Sequence, residues 1–378
     1  MRGSILILNA GSSSIKFTLF GEDLAEGLSG MAEAIGGNAR LKIGDRAQDC
    51  ALPDHASAMQ KILEGLEAEG VGLRDLRAAG HRVVHGGTAL TAPQRITPET
   101  RAAIEACIPL APLHNPHNLT AIDALAALAP ELPQFASFDT AFHITNPDVA
   151  THYALPQAYA ERGIRRYGFH GLSYSALVRN YSRVTGMALP ARVLACHLGN
   201  GASLCAIREG KSVATTMGYS PLEGLTMGTR AGSIDGNAIL RLVEEDGLEE
   251  TRALLNNRSG LLGLSGLSAD MRRLAEDSSK ESAFAIEHFC YWVARHAGSM
   301  VAAMEGCDAI VFTGGIGENA VDVRGRILRH LAWLGVTAAT ETQGGPCLSA
   351  QGSAVAAWVI KADEEREIAR DVQSLLRV

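Results

Sequence analysis

Asn9-Ala-Gly-Ser-Ser-Ser14 gathers three hydroxyls and a glycine into one short turn, with Lys16 just beyond it. A tight turn exposes several backbone N–H groups at one point. With a cation nearby, that is what a phosphate needs where no helix N-terminus is available. An ordinary solvated hairpin accounts for this stretch equally well on its own. Gly199-Asn-Gly-Ala-Ser203 offers the same chemistry in the second half, and Thr313-Gly-Gly-Ile-Gly-Glu-Asn319 offers a third loop. Glycines at such points let a nucleotide approach the backbone closely, and a following helix N-terminus favours anions. One glycine-rich loop is weak evidence. Three of them at the ends of apolar runs, with both halves contributing, point to a phosphate chain lying between two domains.

Charged side chains stand at comparable places. His81-Arg-Val-Val-His-Gly-Gly87 puts Arg82 at a strand end, and Thr226-Met-Gly-Thr-Arg-Ala-Gly232 puts Arg230 on a loop. A guanidinium is permanently charged and grips carboxylate or phosphate oxygens as a fork. Two of them facing one anion would suit a phosphoryl-transfer transition state; singly, each reads as a surface ion pair. Asp139, in Phe138-Asp-Thr-Ala-Phe-His143, ends an apolar run, where it could hold Mg²⁺ through water, orient a substrate or cap the next turn. His170 sits between glycine turns in Arg166-Tyr-Gly-Phe-His-Gly171. Leu113-His-Asn-Pro-His117 has a metal-like histidine spacing, but no cysteine or acid cluster completes a zinc site. Lys361-Ala-Asp-Glu-Glu365 reads as a helix start, with Asp363 as the cap and the glutamates at its positive end.

The elements that carry these groups alternate. Ser4–Leu8 and Ile15–Phe20 flank the first turn as strands, and Arg192–Leu198 and Leu204–Ile207 flank the second. Strand, turn, strand excludes a Rossmann fingerprint or a P-loop, each of which needs a helix after its glycines. Aligning Ser14 with Ser203 gives an offset of 203 − 14 = 189, half of the 378 residues, which suggests two homologous domains each opening on a hairpin. Helical periodicity predicts helices near 55–69, 98–108, 117–129, 173–185, 235–245 and 249–257, a long one over 280–305, and one in 320–334. The long one is apolar on more than one stripe, so it is deeply buried or shared with another subunit. Further strands are expected at 80–84, 134–138 and 309–312. The sum is an α/β protein of two domains, 1–142 plus 366–378 and 143–365.

Bulk properties exclude other classes. With 47% hydrophobic and 20% charged residues the chain suits a globular protein with sizeable cores. A net charge of −7 does not advertise a nucleic-acid or membrane partner. The apolar run Ile5–Leu8 is too short for a signal-peptide core, and no stretch approaches the ~20 apolar residues of a membrane span. Seven dispersed cysteines without a Cys-x-x-Cys pair read as reduced thiols, so a cytoplasmic location is expected.

Taken together, these motifs resemble the acetate kinase family. The similarity lies in Leu8–Phe17, His81–Gly87, Pro112–Pro116, Phe138–His143, Arg166–Tyr174, His197–Ser203, Met217–Asp235 and Phe312–Asn319, in the family's order and nearly end to end. The resemblance implies the acetate and sugar kinase/Hsp70/actin fold (ribonuclease H-like), two related α/β domains around a nucleotide cleft. It implies that Asn9, Ser12, Ser14 and Lys16 form the first phosphate-side loop. Arg82 and Arg230 would hold acetate and the transferring phosphoryl group, His170 would stabilise the transition state, and Asp139 would be the catalytic acid near Mg²⁺. His114 would stand in the substrate cleft, with Val84, Leu113, Phe169 and Pro221 as the pocket for the acetate methyl. His197, Asn200 and Gly201 would form the second phosphate loop. Asp270, Met271 and Arg272 would lie beside adenosine, with Gly315, Ile316 and Asn319 beneath it. Mg²⁺, with Mn²⁺ as a substitute, would be held by Asn9 and Glu364, and by Asp139 through water. ATP and acetate are the implied partners, in a homodimer.

Two departures from the family's pattern stand out. Arg230-Ala-Gly-Ser-Ile-Asp-Gly236 replaces the usual Arg-x-Gly-Asp-x-Asp-Pro, so Ser233 lacks a carboxylate. Lys361-Ala-Asp replaces the usual Pro-Thr-Asn before the two glutamates. The expected chemistry is direct in-line phosphoryl transfer between nucleotide and carboxylate. A propionate or butyrate kinase is the near alternative. A non-enzymatic actin- or Hsp70-like nucleotide switch is the distant one.

Overall fold

The computed structural model describes residues 3–339 and 345–377. The chain divides into two compact units, Met1–Ala141 with Asp363–Val378, and Phe142–Ala362.

The first unit is built on a sheet of eight strands: β1 (Ser4–Ala10), β2 (Ile15–Phe20), β3 (Glu26–Glu33), β4 (Arg40–Ile43), β5 (Arg46–Asp49), β6 (Leu76–Val83), β7 (Gln94–Arg95) and β8 (Gln134–Phe138). Their order is β5-β4-β3-β2-β1-β6-β8-β7. β1 through β5 form an antiparallel meander, and β6 and β8 continue parallel to β1. β1 and β8 are buried along nearly their whole length because helices cover both faces of the sheet. Helix His55–Ala68 starts at Asp54, whose carboxylate accepts from the Ser57 backbone, and packs on helix Asn115–Leu128. The other face receives the C-terminal helix Glu364–Leu376, which packs on β1, β6 and β8. Gly80 in β6 makes room for it: a Cβ there would stand 2.7 Å from Val372 and 2.9 Å from Ile368. The tail therefore joins the first unit from Asp363 onward, so Glu364 lies in the same unit as Arg82.

The second unit has a five-stranded sheet of β9 (Arg192–Leu198), β10 (Ala202–Arg208), β11 (Lys211–Thr215), β12 (Ala309–Thr313) and β13 (Ala356–Val359), ordered β11-β10-β9-β12-β13. β9 to β11 are antiparallel; β12 and β13 run parallel to β9. The same plan orders β3-β2-β1-β6-β8, so each sheet opens on a hairpin whose first strand then gains parallel neighbours. The register of the repeat differs from the offset read in the sequence. Ala10 pairs Ile15 and Leu198 pairs Ala202, so the second turn is one residue shorter. Asn9 opposite Lys16 thus matches His197 opposite Ser203, and Ser14 has its place in the turn while Ser203 lies inside β10.

The helices expected at 55–69, 98–108, 117–129, 173–185, 235–245, 249–257 and 280–305 are found within two residues at each end. β6 begins four residues earlier than expected, since exposed Arg77 interrupts the apolar signal. The third glycine loop is itself helical. Gly314–Asn319 forms a short helix directly on the end of β12, and a second helix runs over Val321–His330.

Candidate active site

In the first unit the predicted residues meet at the C-terminal ends of the parallel strands, where α/β sheets place ligands. Arg82, near the end of β6, donates Nη2 to Asp139 Oδ2 at 2.6 Å and Nε to both Asp139 oxygens at 3.1 Å. Its Nη1 donates to Asn9 Oδ1 at 3.2 Å, and Glu364 Oε2 stands 3.9 Å from Nε. Asp139 is 1% exposed as a side chain and Arg82 23%. Burial works against the guanidinium charge, but Asp139 and Glu364 outweigh it and drive the Arg82 pKa upward. Lys16 forms an ion pair with Glu365, and Ser12 and Ser14 lie in the turn between β1 and β2 with Ser12 exposed.

Two asparagines from the start of helix Asn115–Leu128 hold the backbone around this cluster. Asn118 Oδ1 accepts from Val84 N–H and its Nδ2 donates to Ala10 O. Asn115 Oδ1 accepts from His85 N–H, and its Nδ2 donates to His85 O and Ile104 O. His55 Nε2–H donates to Gly11 O at 2.7 Å, and its ring stacks on His117. Sequence reasoning missed Asn118 and His55, and placed Asn115 only within a matching motif. Val84 is buried, Leu113 exposed and His114 between the two.

In the second unit His170 has φ +59°, a left-handed backbone at the head of helix Gly171–Thr185. Its Nδ1 is 2.9 Å from Ser203 Oγ, its ring stacks on His197 at 4.0 Å, and His197 Nδ1 meets Ser173 Oγ at 2.8 Å. Buried His143 donates Nε2–H to Phe169 O and binds Ser212 Oγ through Nδ1, which pins the residue before His170. Gly201 packs against His170 and Arg230 together: a Cβ there would lie 3.3 Å from His170 Nε2 and 3.8 Å from Arg230 Nη1. Arg230 Nη1 donates to Pro221 O, which ties the guanidinium to another predicted pocket residue. Ser233 closes the Arg230 loop, its Oγ accepting from Gly224 N–H and its own N–H donating to Gly224 O. A hydroxyl therefore closes that loop where the family's pattern has a carboxylate.

A cleft of about 1,050 Å³ opens in the same unit. Asn200, Asp270, Met271, Arg272, Gly315, Ile316 and Asn319 all line it; His197 and Gly201 are not among its lining residues. Asp270 caps the helix Met271–Glu276 and pairs with Arg272 at 2.7 Å. Glu318 Oε1 accepts from Gly314 N–H and Ala362 N–H, and Arg324 Nη1 donates to Gly317 O and Glu318 O. The glycine helix is thereby fixed at both ends.

Among the described residues no group of three or more His, Cys, Asp or Glu side chains is arranged to hold a metal ion. Asn9, Asp139 and Glu364 nevertheless bring hard oxygen donors to one place around Arg82. That fits Mg²⁺, which binds through one or two carboxylates together with phosphate oxygens and water rather than in an all-protein cage. It does not fit zinc. His114 and His117 belong to no group of three such ligands among the described residues, and a closed zinc site needs four.

The model of the Acetokinase family matches residues 4–370. Acetate kinase of Rhodopseudomonas palustris (strain CGA009) is 46% identical over 394 aligned residues, covering 99% of each chain. Among solved structures, Porphyromonas gingivalis acetate kinase matches with a TM-score of 0.90 at 35% identity, over 99% of this chain and 100% of the other. A propionate kinase from Francisella tularensis matches with a TM-score of 0.92 at 36% identity, over 98% and 99%.

Proposed function

The chain belongs to the acetokinase family, and on that premise we propose that it catalyses the reversible phosphorylation of acetate by ATP, by direct in-line transfer to give acetyl phosphate and ADP. It is a phosphotransferase with a carboxyl group as acceptor. The observation that carries this reading is Arg82: a guanidinium at a sheet's C-terminal edge, locked by Asp139 and flanked by Asn9 and Glu364.

A carboxylate nucleophile needs no strong base, so catalysis consists of positioning and charge neutralisation. Arg82 and Arg230 grip the acetate carboxylate and the equatorial oxygens of the transferring group, and Asp139 fixes the Arg82 fork. His170 donates a hydrogen bond to the same oxygens. The turn Asn9–Ser14 with Lys16 supplies N–H and hydroxyl donors to phosphate, and His197 with the turn Gly199–Gly201 supplies further N–H donors. The 1,050 Å³ cleft takes the nucleoside, with Asp270, Met271, Arg272, Gly315, Ile316 and Asn319 in its lining. Bound Mg²⁺, for which Mn²⁺ can substitute, would neutralise phosphate charge; Asn9 and Glu364 would hold it, and Asp139 through water.

Val84, Leu113, Phe169 and Pro221 receive the acetate methyl, with His114 beside them. The propionate kinase match supports a second reading in which the acyl group is one carbon longer. One methylene is worth only ~1–3 kcal/mol, so the fold does not separate the two substrates. A nucleotide switch leaves the Arg82–Asp139 fork without a task. We place the enzyme in the cytoplasm as a homodimer. Among the described residues no helix is long and apolar enough to cross a membrane, and helix Lys280–Ala303 exposes Phe284 and Tyr291 for a second copy of the chain.

Trapping acyl phosphate with hydroxylamine, with ATP, Mg²⁺ and acetate, propionate or butyrate, tests the assignment. Acetate should give the highest kcat/KM; a preference for propionate would move the chain to the second reading. R82A and R230A should each lose turnover by orders of magnitude while still binding ADP, and near-normal turnover in either would overturn the assignment.

A further inference from the structure

Buried behind His170 is a relay of hydroxyls that the phosphoryl-transfer chemistry above does not use. Tyr174 Oη lies 2.5 Å from Ser203 Oγ, and Ser203 Oγ lies 2.9 Å from His170 Nδ1. Tyr174 and Ser203 are both 0% exposed, so each hydroxyl proton must find its acceptor inside the protein. We infer that Tyr174 and Ser203 position His170 by fixing its tautomer: Tyr174 O–H donates to Ser203 Oγ, Ser203 O–H donates to Nδ1, and the imidazole proton is held on Nε2.

The direction follows from counting protons. A serine hydroxyl has a single proton and therefore donates to one of its two partners only. The opposite arrangement, Nδ1–H to Ser203 and Ser203 to Tyr174, would leave the phenol proton to be placed elsewhere. Burial drives the Tyr174 pKa well above its ordinary value, which keeps that proton on the ring, and the His197 backbone hydrogen bond reaches the phenol oxygen from another side. Ser203 Oγ is thus the acceptor for the phenol, and Nδ1 the acceptor for Ser203. Helix geometry supports the same relay. Tyr174 N–H donates to His170 O at 3.1 Å, closing the first turn of helix Gly171–Thr185, and both side chains meet at the single β10 residue Ser203.

The consequence lies at the other nitrogen. Nε2 is the ring atom nearest Gly201, on the side where Arg230 Nη1 also lies. A proton held on Nε2 makes His170 a ready hydrogen-bond donor at the place assigned above to the transferring group. A proton on Nδ1 would present a lone pair there, repelling a phosphoryl oxygen. Preorganisation of this kind lowers the barrier because nothing has to reorient during transfer. Tyr174 and Ser203 act only through His170 and are positioning residues.

This inference rests on the role given to His170 under the proposed function, and the test separates the two. In ¹⁵N-histidine-labelled protein, two-bond ¹H–¹⁵N correlation spectra report the tautomer of each imidazole, and H170Q assigns the His170 signals. The wild-type protein should show protonated Nε2 and unprotonated Nδ1, and S203A should turn this into a tautomer mixture. Y174F and S203A should lower kcat at least tenfold with KM for ATP and acetate within twofold. A wild-type Nδ1–H tautomer overturns the inference, and so does full kcat in both variants beside a crippled H170A. Full activity in H170A would instead remove the catalytic role of His170 itself. If S203A does not fold, the wild-type spectrum and Y174F decide.

Discussion

Asn118 holds Ala10 on its β6 side, at the point where the β1–β6 ladder no longer does. The parallel pairing of β1 with β6 ends at Leu8 opposite His81, yet Ala10 O accepts from Asn118 Nδ2 at 2.9 Å while Asn118 Oδ1 takes Val84 N–H at 3.1 Å. The side-chain amide acts as a detached peptide unit, carrying the ladder two residues further between diverging strands. It thereby fixes the spacing between the Asn9–Ser14 turn and the strand end that carries Arg82. N118D keeps the acceptor for Val84 and sets a carboxylate oxygen against Ala10 O. We expect a loss of about 1–3 kcal/mol in stability. We also expect a fall of at least tenfold in kcat/KM, the larger effect falling on acetate. Urea unfolding and steady-state kinetics read the two together, and N118D with wild-type kinetics would refute the clamp.

Gly228 is required by Asn200. A Cβ at Gly228 would stand 2.0 Å from Asn200 Oδ1, while Gly228 N–H donates to Asn200 O at 2.9 Å. G228A must therefore push the Asn200 side chain, which lines the 1,050 Å³ cleft, or break the backbone bond. The expected result is a rise of tenfold or more in Kd for ADP by calorimetry. A Cβ at Gly236, which does not line the cleft, would meet nothing within 4 Å beyond its own helix and chain neighbours, so G236A serves as the matched control and should leave Kd unchanged. Equal affinities in the two variants would exclude the constraint.

What the sequence made legible was whatever repeats or alternates. The two hairpins, the strand ends bearing Arg82 and Asp139, and the glycines of the cleft all carry local signals within a few residues. The outer strands β3 to β5 did not, because they are short or polar on the exposed face and lack a run of apolar residues. Single long-range contacts were equally silent. Asn118 and Ala10 lie 108 positions apart, and Tyr174 and Ser203 lie 29 apart. Neither an asparagine in a helix nor a tyrosine on its buried face announces a partner. The one-residue difference between the two turns misled the repeat alignment, since only strand pairing reveals that Ser203 matches Lys16.

Arg324 holds the far end of the glycine helix. It is 7% exposed, and its Nη1 donates to Gly317 O at 2.9 Å and Glu318 O at 2.8 Å, the carbonyls that a short helix leaves unsatisfied at its C-terminus. Gly315, Ile316 and Asn319 ride on this helix. R324A should therefore loosen the cleft floor and raise Kd for ADP about tenfold, with R324K intermediate because an ammonium lacks the planar fork. Unchanged ADP affinity in R324A would mean the helix keeps its place without the cap.

Three buried histidines make the fold acid-sensitive. Burial holds His81, His85 and His143 at pKa values of about 4, against the ordinary 6.5. His81 donates Nε2–H to Gln134 Oε1, and His85 accepts from Gly87 N–H through Nδ1, so each sits neutral in a fixed tautomer. Above pH 6.5 both folded and unfolded chains carry these rings neutral, and the linkage contribution is flat. Between 6.5 and about 4 the unfolded chain takes up protons that the folded chain refuses, so stability falls as the pH drops. Each ring costs about 1.4 kcal/mol per pH unit across that window. Urea unfolding at pH 7.5, 6.0 and 5.0 should show a loss that begins near 6.5 and steepens below it. H81Q, whose amide can replace the Nε2–H bond to Gln134, should start less stable yet lose less on acidification, since one proton-accepting ring is gone. Equal stability at pH 7.5 and 5.0 in the parent chain would mean these rings protonate without unfolding their surroundings.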